Sequence, residues 1–299
     1  MYLPANYAVD YADLWSWLSD GGDWSFVGTP VLSYLQSGQG AISADARSLH
    51  QALLHRLAQQ GKPSFVTAKA FNFNDFDYIN LSITRTFIGK ACPWEIQETM
   101  QLASQLGLVS PQGAYTFCKT RLGVDCGGFV ANYWGIGVPH LKRLDPPGAW
   151  GISPRSFWSD RQFWPDVMAR RRASAAQVQA GDAAVFFRDI VDDNPDRAKQ
   201  RDGRGNWIPG TGSEAFHIGV VQEVGSAGGG FTKLVLAESS GARSIFGGNG
   251  VNVHSVVVRR SGMSMGKWVY AELGSGDRIH FVAPPAGWGP ELPYRYGDA

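Results

Sequence analysis

The chain predicts an α+β fold, with helices in its first half and an antiparallel sheet in its second. Two observations carry this. As far as Trp134, apolar residues recur at three- and four-residue spacing behind capping residues, as in amphipathic helices. From Asp182 onward, short runs alternate or stay continuously apolar, with glycine-rich turns such as GSAGGG between them, as in a meander. Helices followed by strands, rather than alternating with them, segregate into α+β architecture.

In chain order, MYLPANYAVDYADLWSWLSDGGDW holds four aspartates and no basic residue, so it does not read as a secretory signal peptide. Ser43 is placed to cap a helix whose Leu49, Leu53, Leu54 and Leu57 share a face, closed by Gly61 and Pro63. SFVTAKAF and YINLSITRTFI then alternate, with Ile79, Leu81 and Ile83 two apart, around the turn-rich NFNDFD; this predicts a hairpin. Residues 1–90 thus read as an α/β extension with no assignable chemistry, ahead of a unit spanning 91–299. A second helix is expected from Pro93 to Leu106, with Glu95 and Glu98 in its first turn and Ile96, Met100 and Ala103 on one face before Gly107. A third has Asp125 as N-cap and Phe129, Val130, Tyr133 and Trp134 as its apolar stripe, ended by Gly135 and Gly137. An aromatic, proline-rich passage from Asp145 to Pro165 offers Trp150, Phe157, Trp158, Phe163 and Trp164 as a core or a cleft wall. Strands follow at DAAVFF, FHIGVVQEV, FTKLVLAES, VNVHSVVV, KWVYAEL and RIHFVAP. The polar run from Val191 to Trp207 lacks the spacing and terminal glutamate of a calcium loop and reads as solvated.

Composition narrows the function. A net charge of +1 without a long basic run argues against nucleic acid as a partner. No apolar stretch of about 18 residues exists to span a membrane. Cys92, Cys118 and Cys126 are odd in number and form no CxxC pair, which argues against a disulfide framework and a cysteine zinc site.

Chemistry gathers around Cys126, in LGVDCGGFVANYW. At the first turn of the third helix its sulfur lies near unpaired N–H groups and the positive dipole end, which favour thiolate. Gly127 and Gly128 leave room for a substrate, and the same amides suit an oxyanion. A thiol nucleophile needs a base. Of six histidines, His217 opens a strongly apolar strand directly after a polar loop, where an imidazole can face a cleft. The base needs an orienting group. Glu238, in LAESSG on the next strand, falls beside His217 if the two strands are antiparallel neighbours; otherwise it is an exposed strand-end carboxylate.

These residues, in this order, resemble the NlpC-type family of papain-like cysteine peptidases. Tyr115, Asp125-Cys126-Gly127-Gly128-Phe129, Ala180-Gly181-Asp182, His217-Ile218-Gly219-Val220-Val221 and Glu238-Ser239-Ser240 match the family pattern between about Ala114 and Val258. The resemblance implies a papain-like core with the nucleophile-bearing helix packed on an antiparallel sheet. It also implies hydrolysis of amide bonds in the peptide stems of bacterial peptidoglycan, without metal or organic cofactor. By the same resemblance Cys126 is the nucleophile, His217 the base and Glu238 its orienter. Tyr115 would line the substrate site or polarise the carbonyl, unless it is a core aromatic. Asp125 would contact the substrate's amino end or serve only as a cap. Gly127 stands where the family has serine, and the stretch between Asp182 and His217 is longer than usual. A wall-directed site in a chain made in the cytoplasm without a visible signal suggests non-Sec export as an antibacterial toxin, with an immunity protein as partner. Two alternatives keep the same residues: a cysteine acyltransferase or deamidase acting on a protein or small amide, and a catalytically idle binding protein.

Overall fold

The computed structural model describes residues 2–35, 43–60, 82–134, 169–172, 175–188, 202–204, 214–228, 231–241, 250–260, 268–270 and 278–284. Helix α1 (Pro4–Ala12) leads into the hairpin β1 (Trp15–Asp20) and β2 (Asp23–Gly28), then the short β3 (Ser33–Tyr34). Helices α2 (Ala44–Gln60), α3 (Pro93–Gln105) and α4 (Pro111–Arg121) follow, then β4 (Gly123–Val124) and α5 (Cys126–Tyr133). Six strands complete the chain: β5 (Ala183–Arg188), β6 (Glu214–Gly228), β7 (Phe231–Ser240), β8 (Gly250–Arg260), β9 (Trp268–Tyr270) and β10 (Arg278–Val282). The main antiparallel sheet follows the helices, consistent with an α+β fold.

The expected helices form for the expected reasons. Ser43 Oγ accepts from Ala46 N at 3.1 Å, and Leu49, Leu53 and Leu57 are buried behind it. Pro93 opens α3, the Glu95 carboxylate turns back to the Cys92 N–H at 2.8 Å, and Ile96, Met100 and Ala103 enter the core. The hairpin expected around residues 64–88 needs a correction where it is described. Residues 82–87 are helical, not extended. Ile83 and Phe87, one helical turn apart, are both buried, and Arg85 between them is buried against Glu95 at 2.9 Å and Asn132 at 2.7 Å. Residues 61–81 lie outside the described residues, as do the aromatic passage 145–165, Gly135, Gly137 and most of the 191–207 run.

The six later strands pair antiparallel in sequence order, and β10 pairs back onto β5, with Val185 opposite His280, closing a barrel. Alternation sorts its two faces. Phe186, Val221, Leu234, Leu236, Val256, Val258, Ile279 and Phe281 fill the inside as one apolar cluster. Ala183, Val185, Ile218, Val220, Ala237, Val251 and Val282 face outward and share a core with the helices. Helix α5 lies against β6 and β7 on that outer side.

The N-terminal segment is built into the same core. Tyr7, Tyr11, Leu18, Val31, Leu53 and Leu57 pack in one cluster with Phe129 and Val220. Tyr11 Oη donates to Ala91 O at 2.8 Å, the Ala5 amide donates to Gln222 Oε1 at 2.8 Å, and β3 pairs in parallel with β4 immediately before Cys126. Among the described residues no helix is long and apolar enough to cross a membrane.

Candidate active site

The first turn of α5 is fixed before any chemistry begins. Asp125 is its N-cap: Oδ1 accepts from Gly128 N at 2.6 Å, and the Asp125 amide donates to Gly89 O at 2.9 Å. Asp125 Oδ2 is held by Lys90 Nζ at 2.5 Å, and both side chains are buried. Asn132, two turns on, donates to Lys90 O at 3.0 Å. Gly128 lies so close to the 89–90 turn that a Cβ there would stand 2.5 Å from Gly89 O. Burial pushes the Asp125 carboxyl up; Lys90 and the cap pull it back without cancelling the rise. With one oxygen on Gly128 and the other on Lys90, this carboxylate holds the helix, which is the capping role of the two expected for it. The amides of Cys126 and Gly127 are the other first-turn donors that have no intrahelical carbonyl to meet.

At that turn Cys126, His217, Glu238 and a tyrosine come together. His217 is within hydrogen-bonding reach of Cys126. Its Nε2 donates to Glu238 Oε2 at 2.8 Å, which leaves Nδ1 for the thiol. Glu238 reaches it because residue 219 is glycine: a Cβ there would lie 3.0 Å from Glu238 Oε2 and 3.2 Å from Glu238 Cβ. Burial works to lower the His217 pKa, but the charge of Glu238 and the bonds to Cys126 and Glu238 outweigh it, holding the imidazole well above the usual histidine range. For Glu238, burial acts to raise the pKa and the facing His217 overturns that, so the carboxyl titrates below its usual range. Phe186, opposite His217 across the β5–β6 ladder, packs its ring 5.3 Å from the imidazole.

Behind Glu238 stands a group of polar side chains. Ser240 hydrogen-bonds the carboxylate, and Asn252 Nδ2 donates to Ser240 Oγ at 3.4 Å and to Gly250 O at 3.1 Å. That turns Asn252 Oδ1 to His254, which must donate from Nδ1 at 2.6 Å. The same Nδ1 lies 3.7 Å from Glu238 Oε1. All four stand where β7 and β8 pair, with Glu238 opposite Asn252.

The tyrosine is Tyr34, not the expected Tyr115. Its hydroxyl lies within hydrogen-bonding reach of Cys126; burial first, then the neighbouring Cys126 and Asp125, raise its pKa, so it remains a neutral donor at neutral pH. Tyr115 stands apart on α4. It is half-exposed, its ring against Gly28 and under the Lys119 ammonium at 5.7 Å. Sequence reasoning missed Tyr34 because it sits in a two-residue strand with no periodicity to mark it, and missed Lys90 because its partner lies 35 positions away. The Ala180-Gly181-Asp182 stretch is scaffold. Asp182 takes a two-pronged bond from Arg172, both at 2.9 Å, and Trp134 Nε1 donates to Gly181 O at 2.9 Å, tying the end of α5 to the start of β5.

The other cysteines sit in different company. Burial, then Glu95, pushes the Cys92 thiol well up, and burial alone raises Cys118. Comparison with known proteins adds no relative: no family model, no curated protein and no solved structure matches the chain.

Proposed function

We propose that the protein is a cysteine hydrolase that cleaves amide bonds in the peptide stems of bacterial peptidoglycan, through Cys126, His217 and Glu238. One observation carries the reading: a cysteine at a capped helix start lies within hydrogen-bonding reach of a histidine whose Nε2 is held by a buried carboxylate. Nucleophile, base and orienter are the three parts that acyl transfer needs. The stem-peptide substrate rests on the NlpC-type order of the motifs.

In the reaction, the Cys126 proton already rests on His217 Nδ1, and the Cys126 sulfur attacks the scissile carbonyl carbon as a thiolate. The oxyanion that forms takes hydrogen bonds from the Cys126 and Gly127 amides and from the Tyr34 hydroxyl. His217 passes the proton to the leaving nitrogen as the C–N bond breaks, and the amine departs from a thioester. Water then loses a proton to His217 and attacks the thioester, and the carboxylic acid is released with the thiolate restored. Glu238 keeps the ring turned and offsets the imidazolium charge throughout.

Digestion of purified wall fragments, followed by mass spectrometry, tests the proposal. Wild type should release a new stem-peptide amine and Cys126→Ala should release none; equal products from both, or none from either, would remove it. The toxin reading adds that expression in a bacterium's periplasm lyses the cell and expression in its cytosol does not. Harmlessness in both compartments removes that reading.

A further inference from the structure

The hairpin β1–β2 presents an aromatic face to solvent. Along β1, Ser16 and Leu18 turn inward, where Leu18 is fully buried and Ser16 Oγ meets Thr29 Oγ1 at 2.7 Å. Trp15 and Trp17 therefore turn outward. Across the ladder Trp17 pairs with Phe26, whose ring centroid lies 5.0 Å from that of Trp17 and 5.3 Å from that of Trp15, and Trp24 pairs with Ser19. Trp15, Trp17, Trp24 and Phe26 remain 43%, 56%, 47% and 54% exposed. A half-buried hairpin needs only one apolar face, so rings on the second mark a contact surface.

Charge and position narrow the occupant. Residues 13–28 contain three aspartates and no Lys, Arg or His. Asp13 accepts from Trp15 Nε1 at 2.9 Å, while Asp20 and Asp23 flank the tip. Polyanions and anionic membranes are repelled by such a surface. A neutral sugar suits it: polarised C–H bonds on one face of a pyranose meet the negative faces of the rings, and its hydroxyls donate to the carboxylates. The face also leads to the nucleophile. Gly28, paired with Trp15, lies against the half-exposed Tyr115 ring. Lys119 covers that ring, its carbonyl accepts from Ser33 Oγ at 3.1 Å, and the next residue, Tyr34, reaches Cys126.

We propose that the outer face of β1–β2, continued by Tyr115, binds the neutral N-acetylhexosamine glycan strand from which the stem peptide hangs. The idea rests on the wall-hydrolase reading and extends it from the bond cut to the polymer held. It also gives the N-terminal segment a function.

Cosedimentation of the Cys126→Ala protein with insoluble wall sacculi and with chitin, a neutral N-acetylhexosamine polymer that carries no peptide, tests this. Trp17→Ser/Phe26→Ser, changed at two exposed positions, should weaken binding to both polymers by about tenfold or more. In the active background, the same pair should leave cleavage of a soluble stem peptide unchanged. Trp24→Ser supplies an independent check if the pair does not fold. Undiminished binding by the folded variants, or failure of the Cys126→Ala protein to bind chitin, overturns the proposal. So does sedimentation equilibrium showing a wild-type dimer that the pair dissociates, since the occupant is then a second copy. Failure of wild type to cleave the soluble peptide would instead overturn the hydrolase reading, and the cosedimentation would report the glycan face by itself.

Discussion

Glu238 meets His217 across a gap that residue 219 keeps open by having no side chain. Gly219→Ala should therefore push the carboxylate off Nε2 and lower kcat/KM by about 100-fold, the cost of misplacing a catalytic group by an ångström. The melting temperature should fall by about as much as in Glu238→Gln, which loses the same pair, and steady-state kinetics beside a thermal melt reads both effects. Glu238→Gln removes the charge but keeps the shape. Because that charge is the main influence holding the His217 pKa above its usual value of about 6.5, the alkaline limb of kcat/KM should fall by about one pH unit or more. A limb left in place would show that the imidazole owes its protonation to something else. At this scale the sequence was informative wherever a residue sat inside a pattern. Cys126 opened an apolar helix, His217 opened an apolar strand, and Glu238 closed the next. Tyr34 and the role of Gly219 were hidden, since each depends on a contact across the fold and on no local spacing.

The helix that carries Cys126 is held by a buried ion pair on which its start depends. Asp125→Ala removes an N-cap, at about 1 kcal/mol, and also leaves the Lys90 ammonium buried without its carboxylate, at about 3–5 kcal/mol. Lys90→Met leaves the converse. The double variant Asp125→Ala/Lys90→Met strands neither charge, so its loss in urea unfolding should be clearly smaller than the two single losses combined. Simple additivity would mean that the pair contributes no coupling. The same residues explain the misread element. Alternation at Ile79, Leu81 and Ile83 suggested a strand, whereas Ile83 and Phe87 also fit one helical face. Arg85 and Lys90, basic residues within this run, gave no sign of burial because Glu95, Asn132 and Asp125, which accept them, belong to other elements. The helices at 44–60, 93–105 and 126–133 were readable because cap and periodicity agreed within each segment. The α4 helix, with only Pro111, Ala114 and Cys118 buried, carried too thin an apolar stripe to be seen.

For the whole molecule, six strands and their antiparallel order were legible from alternation and glycine turns, but closure was not. The pairing of β10 with β5 joins residues about a hundred positions apart and leaves no local trace. His217 and Glu238 stand beside Cys126 because β6 and β7, neighbours in the sheet, both pack on α5. The pair also links stability to pH. With its pKa raised, His217 contributes fully below about 6.5 and loses that contribution as pH rises through its folded-state value. With its pKa lowered, Glu238 contributes fully above about 4.3 and loses that contribution as pH falls through its folded-state value. Subtracting the unfolding free energy of Glu238→Gln from that of wild type across pH should give a curve highest between those limits and falling on both sides. A flat difference would show that the pair adds nothing to the fold.

The most direct test of the account is competition among the three cysteines for a limiting amount of iodoacetamide, read by peptide mass mapping at neutral pH in wild type and in His217→Gln. Cys126 should be alkylated well ahead of Cys92 and Cys118, and the substitution should erase this lead. Equal labelling of the three in wild type, or a lead that survives the loss of His217, would contradict it.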